Sequence, residues 1–568
     1  EIVGLVLAGI VLVAMLGTLI AAGLPLAVAM IGVGVGLAAA MALTAFYEMN
    51  SMTPALALML GLAVGIDYAL FIVNRHRSQL LQGMDLKESI ARAVGTSGSA
   101  VLFAGTTVVI ALVALVLSGI PLLAQMGLVA AGTVAVAVLV ALTFSPALLR
   151  IMGTRVVSRR GWRAAGFTTP GEVSTRVVTE DQHEEEHGGW YVRLITRRPW
   201  LTVLGVVALV GIIAFPALDL RLGLPGGGNE PADSTAYRAY AATAQAFGPG
   251  MNGPVIVVAD LPGTPTQEQV SATQAHLATS LAAVDGVEHV VPFGTSADHR
   301  TLAFQVVPST GPAEAQTVTT VHALLDSASS IGASTGTTIG LTGQTVANIE
   351  ISERLAAALP TYLLVVVGLS LLILTAVFRS VVVPLVATAG FLLSVATAFG
   401  ATVMVYQWGW LGSIFGVHDP GPILSFMPIM LIGVLFGLAM DYQMFLVSGM
   451  REAWSHGEDA RTAVRSGFTH GAKVVTAAAV IMFAVFGGFV FSHLTMIRPM
   501  GFGLAVGVLT DAVLVRMTLT PAVMHLLGER AWYMPGWLDR LTPDLDVEGT
   551  SLSAMNDAQS RPLDPLPA

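Results

Sequence analysis

The sequence predicts a polytopic α-helical membrane protein that carries one soluble α+β domain. Apolar residues make up 54% of the 568 residues and charged residues only 11%, and a soluble core does not require so much apolar surface. Apolar stretches of about 20 residues, the length that crosses the hydrocarbon core of a bilayer, recur along the chain. One long segment between them instead has short β-type runs and helical patterns.

The apolar stretches form two clusters that predict about 11 spans. The first-half membrane bundle covers 1–150, an isolated span covers 199–218, and the second-half bundle covers 354–528. We place the individual spans near 1–21, 23–46, 53–74, 97–118, 124–150, 200–218, 357–378, 382–406, 424–448, 471–492 and 500–527.

Residues 219–353 predict a small soluble domain. Short runs such as "GPVIVVAD" and "TLAFQVVP" alternate with helix-like segments at 266–283 and 314–330. Their order, β-α-β-β-α-β, is that of the split βαβ or ferredoxin-like unit.

Three polar segments predict no folded site. Residues 151–198 and 529–568 are polar or mixed in charge, so we expect a disordered linker and a disordered tail. The linker contains "HEEEH" at 183–187, but no cysteine occurs in the chain and no distant histidine completes a set of metal ligands. The stretch "GLPGGGNEP" at 223–231 lacks a P-loop lysine, so we expect a flexible lead into the soluble domain.

Basic residues predict the orientation. They follow the third, fifth and ninth spans, and they are scarce in 219–353, which contains no lysine. The basic sets are Arg75, Arg77, Lys87 and Arg92, then Arg150, Arg155, Arg159, Arg160 and Arg163, then Arg451, Arg461 and Arg465. By the positive-inside rule these loops are cytoplasmic. The linker and tail are then cytoplasmic, and the 219–353 domain lies outside.

A repeated motif marks the candidate site. "GLAVGIDYALFIVNRHR" at 61–77 and "GVLFGLAMDYQMFLVSGMREAW" at 433–454 both place Asp-Tyr inside an apolar run that ends in basic residues. Further matches follow at nearly the same offset, such as "TFSPALL" (143–149) and "TLTPAVM" (518–524). The two clusters are therefore one unit used twice in parallel, an arrangement in which transporters place the site near the midplane.

The repeat brings two carboxylates to equivalent positions. A charged group at bilayer depth costs on the order of 3 kcal/mol or more. Facing helices can hold Asp67 near Tyr442 and Asp441 near Tyr68, so that each phenol donates a hydrogen bond to the opposite carboxylate. Burial disfavours the charged form, so each carboxyl can take up a proton from one side and release it to the other. Helix packing alone is the competing interpretation.

Three further charges lie in or near the spans. Asp511 and Arg516 occupy the last span without counterparts in the first half. Asp511 is either a further relay member or a structural charge buried against a polar partner in the bundle, with Arg516 snorkelling towards the cytoplasm. Lys473 replaces Ala100 of the first half, and we expect it to snorkel to the interface, with a contact to Asp441 as the alternative. His493 is expected to be interfacial.

These residues resemble the mycobacterial membrane protein large (MMPL) family of the resistance-nodulation-division (RND) superfamily. The stretches "EIVGLVLAGIVLVAMLGTLIAAGLPL", "LALMLGLAVGIDYALFIVNRHRSQ" and "GFGLAVGVLTDAVLVRMTLTPAVM" are similar to that family, as is the doubled Asp-Tyr. The resemblance implies two halves of six spans, each with an external porter domain after its first span, in a bacterial cytoplasmic membrane. It implies a proton relay of Asp67, Tyr68, Asp441 and Tyr442, with 219–353 as the second porter domain. Against this pattern the first span and first porter domain are missing, so we expect an N-terminally truncated chain whose 1–150 region holds spans 2–6.

The predicted function is proton-driven export of lipids or other hydrophobic molecules. No nucleotide-binding motif and no nucleic-acid-binding patch occurs, so the proton gradient is the expected energy source, without ATP, cofactor or metal. The chain is not expected to be an enzyme: an intramembrane aspartyl protease would need a Gly-x-Gly-Asp pattern, which "GLAMD" lacks. Drug efflux by the same mechanism, and a sterol-sensing-like receptor or export accessory, stay open. So do the cargo and a homo-oligomer or accessory partners.

Overall fold

The computed structural model describes residues 2–46, 48–50, 52–167, 171, 190–224, 226–455, 457–492, 494, 496–540 and 542. Within these ranges the structure does not describe the side chains at positions 2, 3, 441, 445, 452, 470 and 473. Two groups of long helices and one α+β domain make up the described chain.

In the described chain, the first half consists of long helices, followed by two short ones. In chain order they are α1 (Ile2–Leu16), α2 (Leu19–Leu43), α3 (Met52–Leu81), α4 (Leu86–Val113), α5 (Pro121–Met152), α6 (Arg159–Ala164) and α7 (Trp190–Arg197).

The soluble domain follows α8 (Pro199–Ala214). Its elements are β1 (Leu222–Gly223), α9 (Thr235–Phe247), β2 (Val255–Asp260), α10 (Gln267–Ala282), β3 (Val287–Thr295), β4 (Thr301–Pro308), α11 (Ala315–Thr335) and β5 (Thr338–Thr342). Strands β2 to β5 form an antiparallel sheet in the order β3-β4-β2-β5. With α10 and α11 they follow the β-α-β-β-α-β order. The apolar face of the sheet, including Val257 and Phe304, is buried.

The second half begins without a break from the domain. It contains α12 (Gln344–Phe378), α13 (Val382–Thr402), α14 (Gly412–Phe415), β6 (Ile423–Leu424), α15 (Met427–Ser455), α16 (Ala460–Val490), α17 (Ile497–Leu509), α18 (Thr520–Leu527) and α19 (Gly536–Asp539). π-helical segments at Val403–Gln407 and Thr510–Leu519 extend α13 and join α17 to α18.

The two helices that carry the Asp-Tyr motifs lie at the centre. Among the apolar helices, 89% of the most apolar stretch of α3 and all of that of α15 is buried, against 17% for α8. Helix α3 packs on α16, and α15 packs on α4. Since α3 corresponds to α15 and α4 to α16 in the sequence repeat, this reciprocal packing is what a twofold relation between the halves requires.

The number of spans differs from the expectation of about 11. In the described chain, nine helical segments are long and apolar enough to cross a membrane, and ten if the bent pair 460–469 and 474–490 is one span. The stretch placed at 1–21 ends at Leu16, because Gly17 has a φ of +71° and Thr18 caps α2 by accepting a hydrogen bond from the Ala21 N–H.

The disorder expected for 151–198 and 529–568 is wrong for the parts that the structure describes. Trp162 and Phe167 pack edge to face, with ring centroids 5.5 Å apart, and form a buried cluster with Leu80 and Val157. At the other end, Ser380 donates a hydrogen bond to the Ala531 carbonyl at 2.7 Å, and Arg379 pairs with Asp539 at 2.6 Å. Buried aromatic side chains anchor these segments, although the average composition of the segments is polar. Residues 168–170, 172–189, 541 and 543–568, including "HEEEH", lie outside the described chain.

We expect Trp162→Ala to release the segment 153–167 from α3. Deleting a buried tryptophan side chain costs about 3–5 kcal/mol, and Trp162 is 2% exposed. Limited trypsin digestion should then cut at Arg155 to Arg163 faster than in the wild type. Trp190→Ala is the matched control because Trp190 is 73% exposed, and equal cleavage of the two variants would contradict the packing.

Candidate functional site

Asp67 is buried at the centre of the helix bundle. It lies in the middle of α3 with 2% of its surface exposed, and its neighbour Tyr68 is fully buried. Tyr442, from the equivalent position of α15, is placed to donate a hydrogen bond to the Asp67 carboxyl group. The Oδ1 atom of Asp67 has no hydrogen-bond partner among the described residues. Each half of the molecule thus contributes one group to this contact.

The structure describes one half of the expected reciprocal arrangement. Asp67 and Tyr442 come together across the two halves. The side chain of Asp441 lies outside the description, so its pairing with Tyr68 stays a prediction. The same holds for Lys473, whose side chain is not described, and for His493, which lies outside the described residues.

Asp511 and Arg516 form a buried ion pair. The Arg516 Nε atom donates to Asp511 Oδ2 at 2.6 Å, and the two side chains are 0% and 5% exposed. Arg516 also donates to the Gln443 side-chain carbonyl, and Ser394 donates to Asp511 Oδ1 at 3.4 Å. The expectation that Arg516 snorkels towards the cytoplasm is therefore wrong, because its buried guanidinium donates to Asp511 and Gln443 inside the bundle.

The π-helical segment Thr510–Leu519 explains this pairing. In an α-helix, two residues five apart are rotated by about 140° around the axis and face different neighbours. The wider i→i+5 hydrogen-bonding pattern brings them towards one face, so that Asp511 reaches Arg516 within a single segment.

A polar path joins the two clusters. Gln443, which accepts from Arg516, follows Tyr442 directly in α15. Tyr442, Ser394 and Asp511 also line one small cavity with room for about one water molecule. From Asp67 through Tyr442 to Asp511, carboxyl and hydroxyl groups therefore follow one another, and such groups can pass a proton by exchanging hydrogen bonds. Sequence reasoning missed Gln443 and Ser394, although the position of Gln443 beside the motif was a usable signal.

Two other sequence predictions concern metal binding and the stretch 223–231. In the described ranges, no group of three or more His, Asp or Glu side chains is arranged to hold a metal ion. The stretch 223–231, expected to be flexible, is anchored where the structure describes it: Gly223 pairs with Leu424 in the parallel β1–β6 ladder. The Gly226 N–H also donates to the Asn229 side chain at 3.2 Å.

Comparison with known proteins gives consistent relatives. The sequence profile of the MMPL family matches residues 1–202 and 229–543. The chain is 42% identical to the membrane protein YdfJ of Bacillus subtilis, over 97% of the chain and 73% of that protein. It is 31% identical to the mycolic acid-containing lipids exporter MmpL11 of Mycolicibacterium smegmatis, over 95% of the chain and 55% of that protein.

A third relative is the trehalose monomycolate exporter MmpL3 of Mycobacterium tuberculosis, 27% identical over 99% of the chain and 61% of that protein. The chain thus spans little more than half the length of these two exporters. The profile match covers most of both helix groups and the soluble domain, and nine to ten described helices can cross a membrane. The chain is a multi-pass bacterial membrane protein and belongs to the MMPL family.

Proposed function

We propose that this chain exports lipids or other hydrophobic molecules across the cytoplasmic membrane, driven by the proton motive force. Protons pass through the relay of Asp67, Tyr68, Asp441 and Tyr442. One observation carries the proposal: Asp67 is buried at the centre of the bundle, and its described partner, Tyr442, comes from the other half. A proton bound there changes a contact between the two halves.

The geometry favours proton binding and release by Asp67 over a role in helix packing alone. A carboxylate that only held helices together would have its lone pairs filled by donors. Asp67 Oδ1 has no hydrogen-bond partner in the described part of the chain. The surroundings seen here therefore do not stabilise the ionised and the protonated carboxyl group equally. Movement of α3 against α15 can change these surroundings.

Asp511 and Arg516 extend this proposal. The Arg516 guanidinium is fixed beside Asp511 by the 2.6 Å contact. Asp511 of this ion pair lies on the wall of the cavity that Tyr442 also lines. Its role is to bias proton movement through the tyrosine, whereas Asp67 and Asp441 carry the proton.

The cargo class rests on the relatives and on the domain. Two relatives are named as exporters of mycolic acid-containing lipids and trehalose monomycolate. The 219–353 domain, placed outside by the distribution of lysine and arginine, would receive such molecules. It is joined to the bundle through the continuous helix α12, which can transmit movement between them.

A lipid profile of the cell envelope tests the proposal. Cells with the wild-type protein, cells with Asp67→Asn and Asp441→Asn, and cells lacking the protein are compared by mass spectrometry. We expect one lipid class to disappear from the outer envelope in both the variant and the deletion. Three coinciding profiles would contradict lipid export and favour small-molecule efflux or a sensing role.

A further inference from the structure

A cavity lies between the soluble domain and the second helix group, away from the Asp67 site. It encloses about 760 Å³ of space when its open mouth is included. Its wall combines charged groups with apolar side chains. The residues that matter here are Tyr406, Phe415, Asp419, Met496, Arg498 and Glu230.

The cavity wall offers unused hydrogen-bond donors in Arg498 and Tyr406. Arg498 donates from Nε to the Ser492 carbonyl at 2.6 Å, and no carboxylate lies within 4 Å of it among the described side chains. The Tyr406 hydroxyl is buried and also lacks a partner in the described chain. A buried hydroxyl without a partner loses about 1–3 kcal/mol. An oxyanion between the two groups would satisfy both.

Gly416 keeps the guanidinium accessible. Its φ is +67°, and a Cβ atom added there would lie 3.1 Å from a terminal nitrogen of Arg498. Any larger residue would push against that nitrogen. The backbone therefore leaves the guanidinium free to face a ligand.

Two carboxylates also lie on the cavity wall. Asp419 and Glu230 lie on its wall, and a Cβ atom at Gly228 would be 3.5 Å from Asp419 Oδ2. Burial and then the nearby Glu314 carboxylate raise the pKa of Asp419. No cationic side chain pairs with Asp419 within 4 Å in the described ranges, so a ligand cation would stabilise the ionised carboxylate here.

An apolar surface leads to the cavity wall. Trp410, Leu411 and Ile414 are each 60% or 61% exposed, and the Trp408 and Trp410 rings lie 5.8 Å apart. These residues directly precede Phe415 and Gly416 in the chain. Paired tryptophans beside a span are typical of the membrane interface, so this segment opens the cavity towards the lipid headgroups.

We propose that this cavity binds the zwitterionic headgroup of a membrane amphiphile, with its oxyanion on Arg498 and Tyr406 and its cation near Asp419 and Glu230. The apolar chains leave past Phe415 and Met496 towards the bilayer. Only one part of this inference rests on the proposed function, namely that the bound amphiphile belongs to the class of molecules that the protein exports. Binding itself requires no proton gradient.

The test measures binding to the purified native protein in detergent. The probes are short-chain phosphatidylethanolamine, short-chain phosphatidylglycerol and free phosphoethanolamine. We expect the first to bind at least tenfold more tightly than the other two. Arg498→Gln and Asp419→Asn should each weaken its binding about tenfold, while the exposed-site control Arg354→Gln leaves it unchanged.

Tyr406→Phe separates binding from folding. Because its hydroxyl has no described partner, removing it should not lower the melting temperature of the ligand-free protein, yet binding should weaken several-fold. Tyr533→Phe, at a 61% exposed residue, is the control. Unchanged binding in both Tyr406→Phe and Arg498→Gln would overturn the proposal.

Two further outcomes also overturn it. If phosphatidylglycerol binds as tightly as phosphatidylethanolamine and Asp419→Asn does not change binding, Asp419 does not contact the headgroup. Equal binding of free phosphoethanolamine would mean a site for an aqueous ion. Asp67→Asn should bind the probe normally. If the wild-type protein binds the probe but moves no lipid under a proton gradient, the proposed function is contradicted and this site stands.

Discussion

Asp67→Asn should abolish proton-coupled transport while leaving the fold intact. The asparagine has nearly the shape of aspartate but cannot take up or release a proton. Asp67 is buried and its Oδ1 atom has no described partner, so we expect unfolding stability to change by no more than about 1 kcal/mol. Proton uptake by proteoliposomes, followed with a pH-sensitive dye, should fall to the level of protein-free vesicles.

The control for this variant is Asp326→Asn, a change of the same kind at an exposed position of the soluble domain. It should transport protons like the wild type. Proton uptake retained by Asp67→Asn would remove this aspartate from the relay. Loss of folded protein would instead indicate a structural carboxylate, the alternative that helix packing offers.

Arg516→Gln should destabilise the bundle strongly. The substitution leaves Asp511, 3% exposed, as an uncompensated buried carboxylate. Breaking one partner of a buried pair costs about 3–5 kcal/mol. We expect a clearly lower unfolding midpoint in detergent, and recovery of most of the loss in the double variant Asp511→Asn with Arg516→Gln, because no buried charge is left unpaired there.

Arg379→Gln is the matched control for that experiment. Arg379 pairs with Asp539 at the same distance of 2.6 Å, but the two side chains are 28% and 48% exposed. Exposed pairs contribute about 0–1 kcal/mol. A similar loss in Arg379→Gln and Arg516→Gln, or no recovery in the double variant, would show that the buried pair is not what stabilises this region.

The helical membrane class and the contact between Asp67 and Tyr442 could be predicted because they depend on local patterns. Apolar runs identify membrane helices directly, and the repeated Asp-Tyr motif predicted that Asp67 and Tyr442 meet across the two halves. The alternating β-type runs likewise predicted strands at Val255–Asp260 and Thr301–Pro308. Each of these predictions uses periodicity or a repeat that neighbouring residues carry.

The Asp511–Arg516 pair and the ordered polar segments depend on tertiary structure. Asp511 and Arg516 are five residues apart, and residues at that spacing do not share a face of an α-helix. No local sequence pattern predicts the π-helical segment. Trp162 lies in an arginine-rich stretch, and the average composition of that stretch predicted disorder. The single Trp162 side chain nevertheless anchors the stretch in a buried cluster. The cavity wall likewise combines residues from 223–231, 406–424 and 496–499, which no local pattern connects.

Gradient-driven lipid transfer is the measurement that tests the central claim most directly. The native protein is reconstituted into proteoliposomes with a labelled lipid, and a pH gradient is imposed and then collapsed with a protonophore. The account predicts net lipid movement that requires the gradient and stops in Asp67→Asn. Lipid movement that continues without the gradient, or at the same rate in Asp67→Asn, would contradict proton-driven export.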